Sequence, residues 1–247
     1  MRRPPILSAR PLYEWINRVS QQHKQFTALN LDAEEQALIQ RRVESNFVRS
    51  ALRLEGVEVK EDQIAHLISE STESKGLSES DRVIVEQLEA LRTVDALARE
   101  NGAITPESLL KIRGRKEFRA SEGERVRAIS PPRPEYLVAS IRSACFWFSA
   151  ESFLELNPVE QSAIALLRFI EIQPFDDRND STAVTAASFF LLRSHLPPII
   201  IRAEQIPAYR AAIIESQRSD TRPMVELIAE STEKTLAEMI AFISARR

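Results

Sequence analysis

Five glycines punctuate the 247 residues of this chain, at 56, 76, 102, 114 and 123, and no two are adjacent. A β-sandwich or a dinucleotide-binding sheet turns on glycine-rich loops, so this scarcity points to helices joined by short connections. Apolar periodicity agrees. Over 32–54, 60–70 and 80–100 the apolar residues recur at three- and four-residue spacing. The polar run SESTESKGLSES (69–80) separates two of these helices as an exposed loop. The expectation is an all-α fold with one small β-hairpin, a single domain over 1–247. Its parts are N-terminal helices at 32–100, a core at 101–200 and C-terminal helices at 201–247.

Composition narrows the function classes. Hydrophobic residues make up 43% and charged residues 28%, the balance of a globular chain with ample core. The net charge is −3 with acids and bases interspersed, so no basic face invites nucleic acid and no polybasic run invites a membrane. The single cysteine, Cys145, rules out an internal disulfide and reads as a small buried apolar residue in SACFWFSA. The start, MRRPPILSARPLYEW, has no apolar stretch of the signal-peptide kind, and a cytoplasmic location is expected. His23, His66 and His195 are scattered without ligand spacing, and His195 suits a helix end.

The clearest helix start is ELNPVEQSAIALLRFIEI, with Asn157 as N-cap, Pro158 at the first position and Glu160 completing a capping box. Pro174 ends that helix at Gln173. A second helix begins near Asp180 or Ser181, with Ala183, Ala186, Ala187 and Phe190 on one face. Thr105 and Pro106 start a short helix, and KEFRA and RVRAI on either side of Gly123 suggest the hairpin. Further helices are expected over 135–150, 203–217 and 223–245.

Between the two apolar helices lies a loop dense in charge, QPFDDRNDSTAV, residues 173–184. It resembles the motif of the Fic (Fic/Doc) family, His-x-Phe-x-Asp/Glu-Gly-Asn-Gly-Arg-x-x-Arg. Phe175, Asp177 and Asn179 fall on matching positions, and Pro174 is usual in the unspecified place. Four surrounding stretches are similar to the family as well. NPVEQSAIALLRFIEIQPF looks like the helix leading into the motif, and KEFR with ISPPRPEYLVASI looks like the flap hairpin and the helix after it. LPPIII with IPAYRAAIIESQ resembles the continuation, and SNFVRSALRLEGVEV resembles an inhibitory helix ending in Glu55-Gly56. The resemblance covers roughly 40–230.

In active members, as the family implies, ATP provides AMP to a Ser, Thr or Tyr hydroxyl of a target protein. The His is the general base, the acid holds Mg²⁺, and the Gly-Asn-Gly backbone cradles phosphates. Here Gln173 replaces His, Arg178 and Asp180 replace the two glycines, and Ser181 and Val184 replace the two arginines. A carboxamide cannot take a proton, and losing a positioned general base costs roughly 10²–10⁴-fold in rate. Ser181 and Val184 offer no cation to developing charge.

Asp180 is expected as the N-cap of the second helix, where its carboxylate would bond the N–H groups that a phosphate needs. Arg178 stands where glycine allowed positive φ and is expected to pair with Asp177 or Glu55. Asp176 and Asp177 are candidate ligands for a divalent ion, Asp177 being the family's position, although adjacent loop acids are also commonly just solvated. Glu55 would pair in inhibited members with the second motif arginine, here Val184.

The resulting expectation is a Fic-fold pseudoenzyme that binds an unidentified protein partner. No cofactor is expected, ATP and Mg²⁺ applying only if the ancestral activity is retained. Two alternatives stand beside it: a transferase with altered chemistry using Asp176 or Asp177, and a helical scaffold or regulatory module with no ligand.

Overall fold

Capping boxes set the starts of three helices. Asp32 begins α2 (Ala33–Leu54) with Glu35 bonding back to it, and Thr105 begins α5 (Pro106–Arg113) with Ser108 in that role. Asn157 begins α8 (Pro158–Ile172), its side chain accepting from the Val159 N–H while Glu160 accepts from the Asn157 N–H. Each box satisfies N–H groups that a helix start otherwise leaves open. The computed structural model describes residues 12–69, 77–123 and 129–247. Its other helices are α1 (Leu12–Thr27), α3 (Glu61–Ser69), α4 (Glu79–Arg99), α6 (Pro134–Trp147), the short α7 (Glu151–Leu154), α9 (Asn179–Arg193), α10 (Ile206–Ser216) and α11 (Arg222–Ser244). A 3-10 turn at Ala203–Gln205 leads into α10.

Helix α9 is the axis of the fold. From Ser181 to Leu191 every residue is buried. Its alanines 183, 186 and 187 leave room for close approach, and α8 and α4 pack on it most extensively, with α2 and α5 adding further sides. Phe148, Phe153, Phe169 and Phe190 interlock around α8 and α9, with centroids 5.1–5.8 Å apart, edge-on except for the tilted Phe148–Phe153 pair. Such a core fixes where α8 ends and α9 begins, and therefore fixes the loop between them.

Three expectations change here. The hairpin is not seen: 116–120 is irregular, 124–128 lies outside the described residues, and Ile129 forms an isolated bridge. No strand occurs among the described residues. Helix α9 starts at Asn179, ahead of Asp180. Helix α1, unforeseen in the sequence, packs along α11 and brings His23 to the backbone of His195. Among the described residues no helix is long and apolar enough to cross a membrane.

Candidate functional site

The α8–α9 loop lines a cavity of about 460 Å³ together with Glu55, Arg119, Ser121 and Arg210. Helix α8 ends on Gln173, whose φ of 47° is left-handed, an unusual conformation for a residue other than glycine. Gln173 is buried, and its carbonyl accepts from Arg119 Nε at 2.7 Å. Arg119 is itself buried. It donates to the carbonyls of Ser121 and Pro132, and its N–H donates to the Pro174 carbonyl at 3.0 Å. Burial lowers the Arg119 pKa, and the charges of Glu122 and Asp176 oppose that. A cation placed against the carbonyl end of α8 also meets the negative end of the helix dipole. Arg119 thus holds the residues where helix becomes loop.

Phe175 is buried, its ring 5.6 Å from that of Phe118. Asn179 locks it in place: the Phe175 N–H donates to Asn179 Oδ1 at 3.1 Å, and Asn179 Nδ2 donates to the Phe175 carbonyl at 2.7 Å. One side chain therefore satisfies both backbone groups of a buried loop residue.

The acids between them are already engaged. Asp176 accepts from the Ser121 hydroxyl. Asp177 accepts from Arg113 at 2.6 Å, and Arg115 stands 3.5 Å from its other oxygen. Burial pushes the Asp177 carboxyl up, but the charges of Arg113, Arg115 and Arg178 with the Arg113 hydrogen bond outweigh it and hold it below the usual range. Both Asp177 oxygens thus face guanidinium groups, which is a poor fit to a divalent cation. Among the described residues no three His, Cys, Asp or Glu side chains converge as a metal site.

The start of α9 corrects the expectation for Asp180. Arg178 is the N-cap, with φ 52°, and Asp180 sits inside the first turn. The carboxylate at this helix end comes from Glu55, the C-cap of α2, whose Oε1 accepts from the Ser181 N–H at 2.6 Å. Burial pushes the Glu55 carboxyl up, the Ser181 hydrogen bonds pull against it, and the Asp180 charge adds to the rise. Gly56 follows with φ 76°, which turns the chain away past the site. Arg178 keeps the positive φ of a glycine position but pairs with Glu86 at 2.7 Å, so neither Asp177 nor Glu55 is its ion-pair partner. Val184 is fully buried and sends nothing into the cavity.

These placements decide what the site can hold. A helix N-terminus with free N–H groups cradles phosphate, yet here the Ser181 N–H already faces a carboxylate. Mg²⁺ with a nucleotide does not fit the groups as arranged. Sequence reasoning missed Arg113, Arg115, Arg119, Glu86 and Arg210. The signal for the first three was there: the basic run RGRKEFR at 113–119 is the counterpart of the acidic DDRND at 176–180.

The Fic/DOC family model matches residues 89–191, which include α8, the loop and all but the end of α9. The chain carries a Fic/DOC domain. Protein adenylyltransferase fic-1 of Caenorhabditis elegans is 28% identical over 153 residues, 58% of this chain and 30% of that protein. Protein adenylyltransferase Fic of Drosophila grimshawi is 34% identical over 106 residues, 43% of this chain and 22% of that protein. The chain therefore spans under a third of the length of either relative. The fold likeness reaches further. A solved structure of C. elegans Fic-1 (residues 134–508 of that protein) superposes with a TM-score of 0.80 at 21% identity, covering 96% of this chain and 74% of that one. A Fic-domain signaling protein from Bacteroides thetaiotaomicron gives 0.77 at 20% identity, covering 92% and 98%. The fold is the helical Fic fold well beyond the matched segment.

Cys145, the lone thiol, is buried in this fold and pushed up to about 12, first by burial and then by the charge of Glu107. It is no nucleophile at neutral pH.

Proposed function

We propose that this Fic/DOC protein has lost adenylyl transfer and acts by binding a protein partner, with no nucleotide or Mg²⁺ in its site. Its relatives carry the name protein adenylyltransferase, and adenylyl transfer to a protein hydroxyl needs a base for that hydroxyl and a cradle for phosphates. The observation that carries the reading is Gln173. At the family's base position stands a carboxamide that takes no proton, buried, with its backbone tied to Arg119. Three features support it further. Glu55 occupies the N–H of Ser181, Asp177 is neutralised by Arg113 and Arg115, and the second arginine position holds a buried valine. Asp177 is a weak substitute base, because its carboxyl is held below the usual range.

The test is incubation of the full chain and of a native lysate with α-labelled ATP. No label is expected on either. Label that disappears in Gln173→Ala contradicts the proposal, and label that depends on Asp177 moves catalysis onto that carboxylate.

A further inference from the structure

On the side of α2 away from Ser181, a second cavity of about 330 Å³ opens between α2 and the segment Ile200–Glu204. Four arginines line it: Arg42, Arg49 and Arg53 from α2, and Arg202 from the segment. On α2 the spacing of seven and four residues puts all three on one face, with the Asn46 amide between them. Arg49 and Arg53 are a like-charge pair at i,i+4, an arrangement that weakens a helix. A local rule broken inside a concave site marks a place where binding sets the sequence.

The existing ion-pair partners of these guanidinium groups lie at the surface. Arg49 pairs with Glu61 and Arg53 with Glu58, carboxylates that are 68% and 72% exposed, while the arginine side chains are only 34% and 23% exposed. Exposed single-contact pairs such as Arg49–Glu61 contribute little, while Arg53 holds Glu58 with both Nε and Nη2. Arg42 stacks on the Phe242 ring at 4.8 Å, and no carboxylate pairs with it among the described residues. Two carboxylates also line the cavity, and each has its own cation: Glu238 faces Arg202 at 2.9 Å, and Glu204 faces Lys234 at 2.9 Å. The Arg202–Glu238 pair is therefore fixed wall, which leaves a row of Arg49 and Arg53, paired only to exposed carboxylates, and Arg42, stacked on Phe242.

We propose that this cavity is a binding site for a small anion carrying two or more phosphoryl groups. Three forked guanidinium groups along about three turns of helix can converge on successive phosphoryl oxygens, with two parallel N–H bonds available to each group. A single phosphoryl group would engage only part of the row. The same chemistry is carried by free pyrophosphate and by the diphosphate end of a nucleotide.

The experiment is calorimetric titration of the full chain at low ionic strength with inorganic pyrophosphate, inorganic phosphate and ADP. Pyrophosphate is expected to bind one saturable site, at least about tenfold tighter than phosphate, and to weaken as salt rises. Arg49→Gln with Arg53→Gln is expected to weaken it at least about tenfold, the equivalent of about 1.4 kcal/mol. Arg42→Gln, an exposed substitution made alone, should weaken it as well. ADP equal to pyrophosphate means that the diphosphate alone is read, and tighter ADP means that the source is a nucleotide; both support the site. Absence of saturable binding, phosphate binding as tightly as pyrophosphate, or affinity unchanged in both variants overturns the proposal. Arg42, Arg49 and Arg53 do not line the α8–α9 cavity, so loss of pyrophosphate binding in their variants is separable from failure of the proposed function, which is read by labelling from ATP.

Discussion

Glu55 and Ser181 lie 126 residues apart in the chain, yet the Glu55 carboxylate accepts the Ser181 N–H at 2.6 Å. The end of one helix thereby closes the beginning of another. Burial, with the charge of Asp180, raises the Glu55 carboxyl above its ordinary value despite the Ser181 bonds. Over the range between the unfolded value, about 4.3, and the raised folded value, the folded state binds more protons than the unfolded one. Stability from this group is thus fully present below the unfolded value and is lost as pH rises through the folded one. Glu55→Gln keeps an acceptor for Ser181 and removes the titration. Urea unfolding across this range should show wild type losing stability relative to the variant as pH increases. Parallel curves would contradict the assignment.

Asp177→Asn should destabilise the fold by about 1–3 kcal/mol at neutral pH, the usual cost of leaving a charged, hydrogen-bonded group unsatisfied. The cost falls on Arg113, whose side chain is only 7% exposed and whose Nε has no hydrogen-bond partner among the described residues. Because the Asp177 carboxyl is held low, its contribution is present above the ordinary carboxylate range and fades as pH falls through the folded value. The gap between variant and wild type should therefore narrow in acid. A gap that persists or widens there would mean that Asp177 acts through shape instead of charge.

How much of this was legible beforehand follows from which interactions are local. Asn157, Pro158 and Glu160 announce a helix start because the capping box is built within four residues, and Pro174 announces its end. The left-handed backbone of Arg178 was legible from its place in a glycine position. The N-cap at Asp180 was misread because an acid near a helix start usually caps it locally. Here Glu55 from α2 supplies the carboxylate across the fold, and no spacing rule contains that contact. The Glu86 partner of Arg178 and the buried Arg119 were hidden for the same reason. Helix α1 carries few strong punctuation signals, and packing on α11 determines it.

Asn179→Ala removes the acceptor for the Phe175 N–H and the donor to its carbonyl in a single change. Two backbone groups of a buried residue lose their partner, so a loss of about 2–4 kcal/mol is expected. For a chain of this size that corresponds to a Tm lower by roughly 4–16 °C. Asn179→Asp keeps the acceptor and should fall between the two. If alanine unfolds no earlier than wild type, the loop is held by Arg119 and Phe118 alone.

Arg178→Gly relieves a left-handed conformation worth about 1–2 kcal/mol, but it adds unfolded-state entropy of roughly 0.5–1 kcal/mol and removes the pair with Glu86. These effects offset each other, and thermal unfolding should stay within about 1 kcal/mol of wild type. Arg178→Val lacks the relief and puts a branched residue at positive φ, so it should be clearly less stable. Equal stability of the two variants would show that this backbone carries no strain.

The central claim is that the protein's own Glu55 carboxylate holds the Ser181 N–H at the helix start where a nucleotide phosphate would sit. The most direct measurement follows the Ser181 amide by ¹H–¹⁵N NMR during titration with ATP, in wild type and in Glu55→Gly. Following this one amide separates the α9 terminus from any anion held by the arginines of α2. In wild type the Ser181 resonance should stay in place throughout the titration. In Glu55→Gly, with the competing charge gone and the helix dipole intact, it should move saturably. A saturable shift of Ser181 in wild type, equal to that in the variant, would contradict the account.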